Sequence, residues 1–347
     1  MRPSANSVPD LDALEVLVLV DNETDTLSSI DEGVPQIPEM VHVAARRPPS
    51  RRANGHQCKL VPDQLCCACH GLSVLLTARH QGRERTVLFD VGPEAGVWRD
   101  NARRLDVDLS RIECVFLSHW HFDHSGALPE VVADIAAARA AAGLAPPRVD
   151  LHPDRPDQRG ILLPSDEMFL LPPEPAVEEI ARAGGDVVTH DEAHVLGDGH
   201  FFASGAIPRV TGYEAGLVGH HSFHGDTCEA DPLIMDERFL AAHVRGRGVS
   251  VFSACSHAGI VNACLAARQQ FPDLPVDAVM GGYHLAGKPM EPRIEPTVND
   301  LETRFGPRLV APGHCTGWRA KARLAEAFAP GRYGPSVVGT MYRLTAE

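Results

Sequence analysis

The six residues His119-Trp120-His121-Phe122-Asp123-His124 carry four metal-binding side chains directly after an apolar run at 114–117. The run reads as a short buried strand, and Ser125-Gly126-Ala127-Leu128-Pro129 reads as the start of a helix. The imidazoles and the carboxylate therefore fall on a strand-to-helix turn, where flanking elements can aim them into one cavity. Alternation puts His119 and His121 on one side, within reach of one ion. Asp123 and His124 turn the other way and can serve a second.

Similar turns recur downstream. A strand ending at Ala254 runs into Cys255-Ser256-His257-Ala258-Gly259, and one through Val310 runs into Pro312-Gly313-His314-Cys315-Thr316-Gly317. Separate strands delivering histidines to one end of a sandwich is the expected layout. The pattern also predicts strands at 15–20, 72–78, 86–89, 186–190, 248–254, 278–280, 309–311 and 336–344. Helices are expected at 94–105, 131–142, 176–183, 259–270, 296–304 and 318–328. Strands followed by surface helices, twice over, suggest two sheets face to face with helices outside. The Arg- and Pro-rich stretch 42–57, with Arg46, Arg47, Arg51 and Arg52, reads as a long loop. It is either a solvated excursion, the favoured reading, or a flap offering guanidinium groups to an anion. The Pro-rich stretch 146–175 reads as loop with short strands.

The net charge of −14 speaks against general nucleic-acid or anionic-membrane affinity. The apolar run 14–20 contains Glu15, follows Asp10 and Asp12 and has no basic leader, so it reads as a strand, not an export signal. No stretch is long and apolar enough to span a bilayer. Nine cysteines without an export signal suggest reduced thiols and a cytoplasmic location. Cys66-Cys67-Ala68-Cys69-His70 has poor metal spacing and reads as structural. No Gly-x-Ser-x-Gly elbow and no nucleotide-binding glycine loop accompany these features.

The intact His-x-His-x-Asp-His of His119, His121, Asp123 and His124, with Asp90 in Leu88-Phe89-Asp90-Val91-Gly92 and with His314, resembles the metallo-β-lactamase superfamily. Val20-Asp21-Asn22, His70-Gly71-Leu72-Ser73, Ser204-Gly205-Ala206-Ile207-Pro208-Arg209 and Gly281-Gly282-Tyr283-His284-Leu285 are similar to one subgroup. That subgroup is named after the archaeal 7,8-dihydropterin-6-methyl-4-(β-D-ribofuranosyl)aminobenzene-5′-phosphate synthase. The resemblance implies an α/β fold: an αββα sandwich of two mixed sheets with helices on the outer faces. It implies a single domain over 1–347, with its core at 15–343.

It also implies one or two metal ions held by His119, His121, Asp123, His124 and His314, with Asp90 orienting a ligand from outside. The family's bridging aspartate has no counterpart, since Cys255-Ser256-His257 takes its strand end. The turn where the family's intermediate histidine is expected reads Ile207-Pro208-Arg209. His257 is expected as a ligand, and the loop with His220, His221, His224 and Asp226 is left unassigned. Zinc is the first choice, favoured by a thiolate from Cys255 or Cys315, while a histidine and carboxylate shell admits iron or manganese.

A metal-bound hydroxide suits hydrolysis of a small ester, lactone or phosphoester. Asp123 would hold or relay the proton, and His284 would bind substrate or protonate the leaving group. His70 and Arg209 are further candidates for substrate contact. His70 and His284 have structural readings of equal weight. The alternatives are a transferase releasing diphosphate, as in the subgroup's namesake, and a non-catalytic protein that retains metal. A small-molecule substrate is the expected partner, and homo-oligomerisation is left open.

Overall fold

The computed structural model describes residues 8–59 and 65–347, so the first seven residues of the expected domain lie outside it. One mixed sheet runs Asp186–Thr189, Arg148–Leu151, Ile112–Phe116, Arg83–Phe89, Ser73–His80, Ala13–Val20, Met341–Thr345 and Gln36–Ile37 in spatial order. The other runs His194–Leu196, Phe201–Ala203, Leu240–Val244, Gly248–Ser253, Val276–Gly282 and Leu309–Gly313.

Alternation along the strands decides what each face buries. Val87, Phe89 and Phe116 point inward and meet Leu240, Phe252 and Met280 of the opposite sheet. Leu88 and Val115 point outward, under helices Ala95–Arg104 and Leu128–Ala141. Across the molecule, Val251 and Val279 lie under helices Ile260–Gln270 and Trp318–Phe328. The αββα sandwich expected from the sequence is thus the observed architecture. No helix among the described residues is long and apolar enough to cross a membrane.

Three elements differ from the sequence reading. The stretch 42–57 is not all loop. Helix Glu39–Arg46 buries Met40 and Val43, and an exposed hairpin pairs Arg51–Ala53 with His56–Cys58. The final strand begins at Met341 rather than Ser336, because Ser336 and Gly339 send their N–H groups to Pro312 and Val18 in loop geometry. The Pro-rich excursion does carry short strands: Arg148–Leu151 joins the first sheet, while the other two enter a third sheet, unforeseen. Its order is Met168–Leu170, Gln158–Leu162, His220–His224 and Thr227–Ala230.

The parallel strands decide where chemistry can sit. Arg83–Phe89 and Ile112–Phe116 are parallel neighbours in one sheet, and Gly248–Ser253, Val276–Gly282 and Leu309–Gly313 are parallel in the other. Their C-terminal ends lead into Asp90, the His119 turn, Cys255 to His257, His284 and His314. This is the edge of an α/β sheet at which ligands ordinarily bind.

Candidate metal centre

Two sets of donor atoms converge at that edge. In the first, His119 Nε2 and His121 Nδ1 lie 2.9 Å apart, and His257 Nε2 lies 3.0 Å from the same His121 atom. In the second, Asp123 Oδ2 lies 3.2 Å from His314 Nε2 and 3.6 Å from His124 Nε2. Tetrahedral coordination with bonds of about 2.0–2.1 Å puts neighbouring donors roughly 3.3 Å apart, so both sets have metal-ligand spacing. Cys255 Sγ falls within 4.8 Å of the His119 and His257 donors and also of the His124 and His314 donors. It stands between the two sets, at the strand end where the family pattern calls for a bridging carboxylate.

Outer hydrogen bonds fix which nitrogen of each ring faces inward. The Ser118 hydroxyl gives its proton to Asp90 Oδ2 at 2.8 Å, so His119 Nδ1 donates to the Ser118 oxygen at 2.8 Å and turns a bare Nε2 inward. His124 Nδ1 donates to Asp90 Oδ2 at 2.7 Å, leaving its buried Nε2 with no hydrogen-bond partner. Asn22 Oδ1 accepts from Gly71 N at 3.2 Å and from His314 Nδ1 at 3.1 Å, so His314 also presents Nε2. His314 Nε2 likewise lacks a hydrogen-bond partner, whereas the unpartnered nitrogen of His257 is Nδ1, on the other side of the ring from the Nε2 that faces His121. Buried nitrogens without partners are rare in folded proteins, and the two of His124 and His314 converging beside Asp123 fit a cation. The residues present therefore fit a metal on the chemistry and spacing of their donors.

Electrostatics agrees. Burial, reinforced by neighbouring positive charge, holds His119, His121 and His257 well below the ordinary imidazole range, which keeps them neutral as ligands must be. Burial alone would raise Asp123. The His124 charge, with the His314 and His70 rings close by, outweighs it and keeps the carboxylate well below its usual range. Burial opposes a charge on His124 too, but Asp123 and Asp90 push it up to about 9.

Backbone strain is concentrated here. Asp90, Ser256, His284 and His314 all have left-handed φ, at 56°, 58°, 47° and 45°. Such conformations cost about 1–3 kcal/mol each and persist where the surroundings over-determine them. Gly282 allows the strand ends to close up. A Cβ there would meet the Ala254 carbonyl oxygen at 2.4 Å and Cys315 Sγ at 2.7 Å.

The cavity above these donors holds about 590 Å³ and is lined by His70, His121, Asp123, His220, Cys255, His257, His284 and His314 among others. His284 packs its ring 4.4 Å from that of His257, with Nδ1 3.5 Å from Cys255 Sγ. His70 Nε2 lies 3.3 Å from Asp123 Oδ2. Asn22 Nδ2 donates to His70 Nδ1 at 3.1 Å, so His70 meets Asp123 as a proton donor rather than a bare ligand. Arg209, expected at the substrate, stands apart: its guanidinium donates to the carbonyls of Ile207 and Leu233 and does not line the cavity. Among the arginines of the 42–57 stretch, Arg46 pairs with Glu39 at 2.7 Å and Arg47 with Asp106, again away from the cavity.

Sequence reasoning left several contributors unassigned. His220 Nε2 lies 2.9 Å from His121 Nε2, and its Nδ1 is held by the Asp231 carbonyl at 2.7 Å. Its neighbours His221 and His224 do not line the cavity. Arg159, from the third sheet, is fully buried and donates to the Trp120 carbonyl, to Asp231 at 2.7 Å and to Asp236 at 2.6 Å. Asp236 in turn accepts the Trp120 N–H at 2.7 Å, which clamps the turn between His119 and His121. Glu237 accepts the N–H groups of His257 and Ala258 at 2.8 and 2.6 Å. The cysteines at 66, 67 and 69 join no metal-ligating group among the described residues, and burial pushes Cys66 up to about 12 and Cys69 to about 11.

The chain is 28% identical over 265 residues to the 7,8-dihydropterin-6-methyl-4-(beta-D-ribofuranosyl)-aminobenzene-5'-phosphate synthase of Methanocaldococcus jannaschii, covering 75% of this chain and 85% of that one. Among solved structures, Tm1679, described as a metal-dependent hydrolase of the beta-lactamase superfamily, superposes with a TM-score of 0.65 at 22% identity. That match covers 95% of this chain and 98% of the other. The profile of the metallo-beta-lactamase superfamily matches residues 68–284, more than half of the chain. With that match and the fold, the chain belongs to the metallo-beta-lactamase superfamily.

Proposed function

We propose that this protein is a metal-dependent hydrolase of a small ester, lactone or phosphoester, with zinc as its metal. The observation that carries this reading is the pair of donor sets facing one cavity, with Cys255 between them. When bound, divalent cations supply Lewis acidity and lower the pKa of water to about 7. Asp123, kept ionised and close to His70 and His314, offers its carboxylate as the group that takes up a proton during the reaction and passes it on. His284 lines the cavity beside Cys255, where its ring can orient the leaving group or give it a proton.

Protein purified without chelators is the test, assayed against esters, lactones and phosphodiesters. Turnover by the wild type is expected, falling at least roughly 100-fold in kcat/KM for Asp123→Asn, as for loss of a positioned proton-transfer group. A metal-loaded, folded protein that turns over no member of the panel would overturn the reading. The relationship to the archaeal synthase supports a second reading, a transferase that releases diphosphate, and assaying diphosphate production tests it. Metal without turnover in either assay would leave a metal-retaining binding protein.

A further inference from the structure

Beyond the donor atoms, Asn22 and Glu23, the cavity wall is hydrocarbon, with Phe122, Ile161, Leu171, Leu217, Ala286 and Trp318 in it. No lysine or arginine appears among the described residues that line it, and the charged groups besides histidine are the carboxylates of Glu23 and Asp123. The nearby cations are paired with carboxylates, one of them the lining Glu23. Lys321 pairs with Glu23 at 3.1 Å, and Arg319 stacks over Trp318 while pairing with Glu291 at 3.2 Å. The apolar character continues outward. Trp318 is 68% exposed, and Leu170 and Val218, next in the chain to the lining Leu171 and Leu217, are 56% and 84% exposed.

Bound metal can meet one anionic centre at the reacting atom. A second anionic group on the substrate would find imidazoles such as His70 and His284 but no lysine or arginine, and away from those rings it would lie against hydrocarbon, stripped of water with no partner. An alkyl or aryl body would instead gain by leaving water. The third sheet supplies much of this wall, since Ile161 lies in Gln158–Leu162 and Leu171 directly follows Met168–Leu170.

We propose that the substrate is a carboxylic ester or lactone with an uncharged apolar body, seated against Leu217 and Trp318. This rests on the hydrolase reading and narrows it. In the reaction, the oxygen of water bonds to the acyl carbon and the acyl C–O bond breaks. The alcohol leaves with one of water's protons, and the acid leaves as a carboxylate, giving the other to solvent.

Metal-loaded protein assayed with p-nitrophenyl acetate, butyrate, hexanoate and octanoate tests the idea. Burial of each added methylene is worth roughly three- to fourfold, so kcat/KM should climb by about that factor per methylene until the wall is covered. Trp318→Ala and Leu217→Asp should flatten the climb. Alkyl hydroxamates of the same chain lengths, measured by calorimetry, give a readout that needs no turnover, and their affinity should rise in parallel. A flat series in both measurements would overturn this inference while leaving the hydrolase reading standing if acetate is turned over. Hydroxamates that tighten with chain length while no ester is hydrolysed would uphold the apolar seat and sink the hydrolase reading. Higher kcat/KM for p-nitrophenyl phosphate than for the octanoate would overturn the choice of substrate class.

Discussion

At His124 two carboxylates act on one imidazole. Its Nδ1 is held by Asp90 while Asp123 lies 3.6 Å from Nε2, and the ring's pKa is pushed up to about 9. The metal-free protein therefore carries a proton there at neutral pH, and a metal must displace it. Because the folded value lies above the ordinary 6.5, this group stabilises the metal-free protein fully below about 6.5, and the contribution is lost as pH rises through about 9. Metal affinity should accordingly strengthen between pH 7 and 9, with proton release visible when calorimetric titrations are repeated in buffers of different ionisation enthalpy. Asp90 also accepts the Ser118 N–H at 2.7 Å, so Asp90→Ala removes the partner that orients both His124 and, through Ser118, His119. A loss of about 10–100-fold in metal affinity is expected in the same titration.

At the scale of elements, the third sheet makes a fixed wall because Arg159 is pinned at three sides. Removing one partner of a buried, hydrogen-bonded ion pair typically costs about 3–5 kcal/mol. Arg159→Ala should lower stability by that order in denaturant unfolding and weaken metal binding by loosening Trp120. Arg159→Lys should recover little, since an ammonium does not reproduce the guanidinium fork. Much of the candidate metal centre was legible in the sequence because its signals are local. The spacing of His119, His121, Asp123 and His124 on one turn shows the donor types before any fold is known, and His257 and His314 follow strands of their own. The sequence hid whatever depends on long-range packing. Arg159 lies in a proline-rich stretch without periodicity, and His220 sits beside two histidines that do not share its role. Arg209 looked available for substrate, yet its guanidinium is spent on two carbonyls. Helix Glu39–Arg46 escaped notice because eight residues bounded by prolines give little periodicity.

For the whole molecule, the candidate site is assembled from both sheets, so a bound metal would tie together segments nearly two hundred residues apart, as from Asp123 to His314. A ligand that binds only the folded state adds about 2.7 kcal/mol at a free concentration of 100 Kd. Chelation should therefore lower the melting temperature and zinc should restore it, as followed by scanning calorimetry; an unchanged melting temperature would argue against a metal linking the two halves. The αββα arrangement was foreseeable from alternating strands and outer helices, whereas the third sheet was not, because its strands pair across more than fifty residues. The most direct test of the central claim is anomalous diffraction from crystals grown with zinc. Scattering peaks are expected inside the His119–His121–His257 set, the Asp123–His124–His314 set, or both. Crystals with zinc bound only elsewhere, or with those donors facing an empty cavity at saturating zinc, would contradict the account.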